Sequence, residues 1–307
     1  GLIPWWVLRK KTRIPETRLS DYLQMRKIAK IKSDIVLGES MRRGRLFWRL
    51  VEPFAVAALN TRPQDAMARM FGAVMRETLM LGGSACIPRL AKDGLSDALI
   101  DPALRLLEQR GAEIKFGSRI STFRMTGERL TSFWTHDQEV VLAPDDAVVL
   151  AVPPWIAADL IPNLSVPTEF EGILNIHYKY VPEPDSRLSK TGFLGIQFGT
   201  AEWLFQKPGH VSVTVSAANK WMDDHADTLG ARIWPNIVAA LRLGLDHEQA
   251  VPKFRVVKER RATFKATPAQ DRRRPPAATP SMRWCRYPIC WGACSGLRQA
   301  RRCGSTL

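Results

Sequence analysis

Three polar side chains stand out because each sits in an apolar stretch where its chemistry differs from that in water. Glu52 lies between Leu50-Val51 and Pro53-Phe54-Ala55. Burial there disfavours the carboxylate, raises its pKa and suits it to donate a proton. The competing reading is a salt bridge to Arg49 or an exposed helix position. Asn60 follows Ala57-Ala58-Leu59 and can orient a polar group, or simply cap a turn. His177, in Asn175-Ile176-His177-Tyr178, is the weaker acid candidate, since a histidine in a strand is more often a satisfied polar residue.

Cysteine and glycine chemistry is scarcer than a count suggests. Cys86 stands alone, while Cys285, Cys290, Cys294 and Cys303 crowd the last residues at intervals Cys-x4-Cys-x3-Cys-x8-Cys. Zinc ribbons use paired Cys-x2-Cys knuckles, so no metal site is expected. One cysteine in the first 284 residues suits a reducing, cytoplasmic compartment, which argues against a disulfide framework. Residues 280–307 contain five arginines, no acidic residue and neither helical nor strand period. They read as sequence out of the ancestral frame and are expected to be a disordered tail. Gly82-Gly83, Gly192/Gly195/Gly199 and Gly292/Gly296 all lack the spacing of a Gly-x-Gly-x-x-Gly phosphate turn.

The elements that must position these residues follow from periodicity. Residues 16–81 read as helical, with Pro53 at the first turn of a new helix, Thr61 as a cap and Gly82-Gly83 as a terminator. A helix from Asp101 to Arg110 is capped by Asp101, buries Ala103, Leu106 and Leu107, and stops at Gly111. The period then changes to alternation at 113–116, 119–123, 130–134 and 139–142. Ala147 to Val152 reads as a strand buried on both faces, ended by Pro153-Pro154 and followed by a short helix from Trp155 to Leu160. Strand-like runs recur at 172–180, 192–198, 203–205, 210–217 and 254–258. Between them Leu229, Ile233, Ile237 and Leu241 mark an amphipathic helix, kinked or interrupted at Pro235.

With 45% hydrophobic residues, the chain can bury a sizeable core. The formal charge of +15 is unevenly placed: residues 1–50 carry a net +9, residues 253–307 a net +12, and the stretch between them a net −6. No nucleic-acid reading module accompanies the basic ends, so nucleic acid is not expected as a partner. At the N-terminal end Trp5, Trp6, Phe47 and Trp48 alternate with cations, which points to peripheral contact with an anionic membrane surface, at the inner face. The bland alternative is a solvated cationic helix face. No apolar run reaches the roughly 18 residues that span a bilayer. Gly1-Leu2-Ile3-Pro4 does not read as a signal peptide but as entry into the middle of a longer protein.

The order helix, glycine, meander, buried strand, Pro-Pro over 103–154 resembles the second flavin-domain segment of amine oxidases and carotenoid-type desaturases. Four stretches resemble hydroxysqualene dehydroxylases more specifically: Trp48–Thr61 (WRLVEPFAVAALNT), Leu95–Leu107 (LSDALIDPALRLL), Asn175–Tyr178 with Trp203-Leu204-Phe205, and Val256–Pro268 (VVKERRATFKATP). The match runs over about residues 40 to 279. The family begins with a strand and Gly-x-Gly-x-x-Gly and ends with a Gly-Asp-Trp element, and neither occurs here.

The resemblance implies an α/β (mixed α+β) fold: a partial FAD-binding domain with a mixed-sheet and helical substrate domain. It places residues 1–100 and 166–255 in the substrate domain and 101–165 and 256–279 in the FAD-binding domain. It implies FAD as cofactor and an isoprenoid lipid as substrate, with hydroxysqualene reduced to squalene, and Glu52, Asn60 and His177 as candidates near the leaving hydroxyl. It places Ile120, through its main chain, beside the flavin adenine, with Val152, Pro153 and Pro154 flanking the cofactor. Lys258, Glu259, Arg260 and Arg261 would lead back to the flavin domain or form a solvated strand end. With both flavin-clasping ends missing or altered, the expectation is a truncated, inactive copy. The alternatives are a phytoene desaturase-like oxidoreductase and a non-catalytic lipid- or membrane-binding module.

Overall fold

The computed structural model describes residues 5–127, 129–136, 138–146, 148–244 and 246–275. The expected tail at 280–307 lies outside the described residues. Two compact units result: Gly1–Leu107 with Glu169–Asp271, and Glu108–Thr168 with Arg272–Leu307.

The N-terminal part of the first unit is helical: α1 (Trp5–Leu8), α2 (Leu19–Lys30), α3 (Leu37–Ser40), α4 (Glu52–Leu59), α5 (Ala68–Glu77) and α6, which begins at Asp101 and ends at Gln109. Met25, Ile28 and Ala29 of α2 meet Phe71 and Met75 of α5 in a buried cluster with Phe47, Val51 and Ala55. Close approach of the two helices depends on Gly72, where a Cβ would stand 2.6 Å from the Ile28 carbonyl oxygen. Phe47, expected among lipid-facing residues, is fully buried here, because its apolar ring is worth more inside the helical core than at a wet surface.

Pro53 shapes the entry to α4. A proline has no N–H to give the carbonyl four residues back, and the preceding turn, Phe47–Val51, is a wide π-turn in which the Glu52 N–H reaches the Phe47 carbonyl. The Arg49 carbonyl is met instead by Gln197 Nε2 at 2.7 Å. Three expected boundaries differ. Thr61 caps no helix; its hydroxyl accepts the Ala266 N–H at 2.9 Å and donates to the Leu59 carbonyl. Helix α5 stops at Glu77, before Gly82-Gly83. Asp101 opens α6 straight out of another π-turn, Ser96–Ile100, rather than capping it from outside. Ala103, Leu106 and Leu107 of α6, expected to be buried, are exposed, the two leucines to about half.

The second unit holds β1 (Thr122–Thr126), β2 (Arg129–Trp134) and β3 (Glu139–Val141), an antiparallel meander in that order, and α7 (Pro154–Leu160). Its small apolar cluster is Leu150, Ala157 and Leu160, with Ile120, Phe123, Val152 and Ile156 packed on it. The strands expected at 113–116 and 147–152 are not formed among the described residues: 113–116 and 148–152 have no regular structure, and Val149 is 64% exposed. A strand exists only when a neighbour completes its hydrogen-bond ladder, and no described strand pairs with either segment.

The chain then builds the sheet of the first unit: β4 (Phe170–Tyr178), α8 (Arg187–Thr191), β5 (Phe193–Gly195), β6 (Trp203–Lys207), β7 (His210–Val215), α9 (Ala226–Leu241), α10 (Asp246–Gln249), β8 (Phe254–Phe264) and α11 (Pro268–Arg272). Spatial order is β5-β6-β7-β4-β8. The mixed class of helices and sheets is as expected, and all ladders of both sheets are antiparallel rather than mixed. Leu174, Ile176 and Tyr178 of β4, with Val211, Val213 and Val215 of β7, bury one face beneath Ile233, Trp234 and Ile237 of α9. Helix α9 runs unbroken through Pro235. Tyr178 donates its hydroxyl to the Gly230 carbonyl at 2.8 Å, and a Cβ at Gly230 would lie 2.2 Å from the Phe254 ring.

Candidate functional site

Since side chains alternate along strands, the residues between those of the α9 core form the opposite face of the five-stranded sheet. Register aligns them in two rows. One runs Phe193, Phe205, Ser212, His177, Arg255, and the other Gly195, Trp203, Thr214, Asn175, Val257. The face therefore grades from aromatic at β5 and β6 to polar and cationic at β4 and β8. Phe193 stacks with Trp203 and with Phe205, ring centroids 6.1 and 6.4 Å apart. Thr214 donates to Asn175 Oδ1 at 2.8 Å.

His177 sits in the polar half of this face, its ring 5.5 Å from that of His210. Its Nδ1 is buried and has no hydrogen-bond partner among the described residues, so it is not the satisfied strand histidine of the bland reading. Burial lowers its pKa, and His210 and Arg255 lower it further. The shift favours the neutral imidazole, a form suited to accept or relay a proton.

Glu52 opens α4 beyond the π-turn. Arg49 is paired with Glu16 at 3.0 Å, and Glu52 has no hydrogen bond or ion pair among the described residues, so the expected Arg49 bridge is not made. Burial raises its pKa, opposed by Arg62 and Arg43. Asn60 takes a left-handed backbone at the end of α4 (φ 48°). Its Nδ2 donates to the Glu171 carbonyl (3.1 Å) and Thr263 Oγ1 (3.0 Å), and its Oδ1 accepts the Ala217 N–H at 2.6 Å. The amide thus ties α4 to β4, β8 and the exit of β7.

Two carboxylates that the sequence reading passed over belong with Glu52. Glu171 of β4 and Glu202, just before β6, both have raised pKa values through burial. Lys265 and Arg62 oppose the shift at Glu171, while Asp65 adds to it. The Ser216 N–H, 2.9 Å from Glu202 Oε2, and Arg62 oppose it at Glu202. Arg62 therefore acts on all three. For Glu202 a signal was available, since it opens the apolar stretch Ala201-Glu202-Trp203-Leu204-Phe205. Lys258 donates to the Met222 and Asp224 carbonyls, and Arg260 pairs with Asp223, so these β8 cations clamp the turn before α9.

In the second unit, Ile120 and Val152 pack on the same apolar cluster as α7, which Pro153-Pro154 lead into. The Ile120 main chain makes no hydrogen bond among the described residues, leaving its polar groups available. A dinucleotide pyrophosphate needs several N–H donors at a glycine turn and helix start. The start of α7 has proline at its first turn and no side-chain cap. The described residues of this unit thus show no glycine turn at a helix start of the kind that holds a pyrophosphate. Among the described residues no group of three His, Cys, Asp or Glu could hold a metal ion.

The model of flavin containing amine oxidoreductases matches residues 9–288, and the chain belongs to that family, whose cofactor is a flavin. Within it, the chain is 39% identical over 280 residues to hydroxysqualene dehydroxylase of Sinorhizobium fredii, covering 91% of this chain and 65% of that protein. Identity to the protein of the same name from Rhodopseudomonas palustris is 40% over 281 residues, with the same coverage. The chain thus spans about 65% of the length of these curated relatives. Among solved structures, a putrescine oxidase triple mutant aligns with TM-score 0.57 at 11% identity, over 82% of this chain and 64% of that one. An oxidoreductase from Methanosarcina mazei aligns with TM-score 0.54 at 12% identity, over 85% and 65%. These two bear on the fold alone.

Proposed function

We propose that the chain provides the substrate-side machinery for reductive removal of the hydroxyl from hydroxysqualene, or a closely related allylic isoprenoid alcohol, giving squalene. The observation that carries this reading is the 37–40% identity to three hydroxysqualene dehydroxylases over 91% of the chain. The chemistry asks for a proton on the departing oxygen, so that water leaves and an allylic cation remains, and then for a hydride. The family flavin supplies the hydride when bound. What falls to this chain is the seat for the hydrocarbon, exclusion of water and the fate of the proton. Phe193, Trp203 and Phe205 offer the apolar seat, and the polar half of the face, with Ser212 and His177, offers the hydroxyl a partner. Glu52 is the candidate proton donor, its pKa raised by burial. His177 and Asn60 are candidates for positioning, and Ile120, Val152, Pro153 and Pro154 for the adenine side of the cofactor.

Bound alone, FAD would gain only a few net hydrogen bonds of about 1 kcal/mol each, against an association cost of roughly 4 kcal/mol or more. The chain by itself is therefore proposed to hold FAD poorly and to be inactive. A substrate of this kind resides in lipid, and peripheral contact with an anionic membrane surface forms part of the reading. Among the described residues no helix is long and apolar enough to cross a membrane.

The test is a chimera in which residues 9–275 replace the matching stretch of the Rhodopseudomonas palustris protein. Consumption of hydroxysqualene with formation of squalene under reducing conditions, lost in Glu52→Gln, is the expected result. A folded, flavin-loaded chimera that instead adds double bonds to a polyene, or turns over neither substrate, contradicts the reading.

A further inference from the structure

The helix α2 has two unlike sides. Met25, Ile28 and Ala29 are buried against the helical core. At 100° per residue, Leu19, Leu23, Arg26, Lys27 and Lys30 share the side turned away from it. Leu19 and Leu23 are 45% and 60% exposed, with the three cations next to them along the stripe. Trp6 of α1 meets Tyr22 edge-on at 5.6 Å, and Tyr22 lies within one turn of Leu19 and Arg26. Trp6 therefore extends the same surface, 40% exposed, with Leu8 at 49% beyond it. Arg9, Lys10 and Lys11 follow directly and are all exposed.

None of these six cations has a hydrogen bond or ion pair from its side chain among the described residues. The acids nearest in sequence are committed elsewhere. Glu16 is held by Arg45 at 2.9 Å and Arg49 at 3.0 Å, and Asp21 accepts the Arg18 N–H at 2.8 Å. The surface thus carries uncompensated positive charge interleaved with exposed leucine and tryptophan.

We infer that the outer side of α2, with Trp6 and Leu8, is a docking surface for an anionic lipid membrane. Cations alone would suit any polyanion. Leucines among them favour lipid, because a phosphate backbone would leave Leu19 and Leu23 in water, whereas a headgroup layer takes up the charges and lets the apolar side chains enter its acyl boundary. A tryptophan at the rim suits the same interface. Two weak signals together, cations and shallow insertion, are what stable peripheral binding requires. The inference deepens the membrane-contact part of the proposed function by fixing where it occurs, and rests on no part of the flavin chemistry.

The experiment is sedimentation of the full chain with phosphatidylcholine vesicles, with and without phosphatidylglycerol, in low and high salt. Binding should be at least tenfold stronger to the anionic vesicles and released by salt. Arg26→Glu/Lys27→Glu/Lys30→Glu should lose at least tenfold, on the order of what three such charges contribute. Leu19→Ser/Leu23→Ser should weaken binding severalfold at unchanged charge, both variants keeping wild-type circular dichroism. Wild-type binding that both variants retain in full overturns the placement while leaving membrane contact intact. No preference of the wild type for anionic vesicles overturns both, and so does duplex DNA bound in preference to them. Failure of the chimera to consume hydroxysqualene bears on neither.

Discussion

The two units are built from sequence of similar quality and reach different ends. In the first, every strand has ladder partners, and β4, β7 and α9 enclose a core that includes fully buried Tyr178 and Trp234. In the second, the described core is three buried side chains, Leu150, Ala157 and Leu160, while Phe116 and Val149 stand in water. The apolar run ending at Val152 is no poorer in strand-forming residues than β7. It differs in lacking a neighbouring strand among the described residues. Alternation and β-branching describe what a segment can pair with, and pairing itself is supplied by the rest of the fold.

That contrast can be tested by deletion. Leu174→Ala, in the sheet core of the first unit, should cost about 2–5 kcal/mol, the usual range for a buried leucine. Leu160→Ala should cost less than half as much, because its surroundings are sparse and can relax. Chemical denaturation of the two variants decides it, and equal losses would mean that the second unit is as well consolidated as the first.

Smaller effects come from the joints. Gly230→Ala forces a methyl against Phe254 and should cost about 1–3 kcal/mol in thermal unfolding, whereas Gly83→Ala, with open space around it, should be near neutral. Asn60→Ala leaves the buried Ala217 N–H without its acceptor and should cost about 1–3 kcal/mol. Catalytic importance without a stability cost would point to a role in chemistry instead.

The smallest expected change is electrostatic. Glu202 has a folded-state pKa raised by burial, so the folded state holds its proton more tightly than the unfolded chain does. The contribution is favourable below the ordinary glutamate range and is lost as pH rises through the folded pKa. Glu202→Gln keeps an acceptor for the Ser216 N–H and removes the buried charge. It should slightly raise the melting temperature at neutral pH, with the gain fading as the pH falls into the ordinary glutamate range. A gain that grows toward acid pH would reverse the assignment.

Much of the first unit was legible in the sequence. Leu229, Ile233, Ile237 and Leu241 announced α9, and the short strands fell where alternation placed them. At Pro235 the expectation was a kink or an interruption, and the helix is not interrupted there. The candidate site was legible in part. Glu52 could be suspected from its apolar neighbours, and its raised pKa accords with that. Its freedom from Arg49 depends on Glu16, 33 residues away along the chain, a partnership no local pattern contains. Ser212 went unnoticed because register across the strands, rather than spacing along one, sets it beside His177 and Phe205. Asn60 was a candidate to orient a polar group or to cap a turn, and its partners Glu171, Ala217 and Thr263 are distant in sequence.

We propose that this chain carries the substrate side of a flavin enzyme, with no seat for the cofactor's phosphates among the described residues. Titration of FAD into the purified chain, followed by flavin fluorescence and by absorbance near roughly 450 nm after gel filtration, tests it most directly. On this proposal the protein is colourless and shows no saturable binding at micromolar FAD, because the contacts proposed for Ile120 and the Val152-Pro153-Pro154 turn would not offset the cost of association. A yellow preparation retaining one FAD per chain through gel filtration would contradict it.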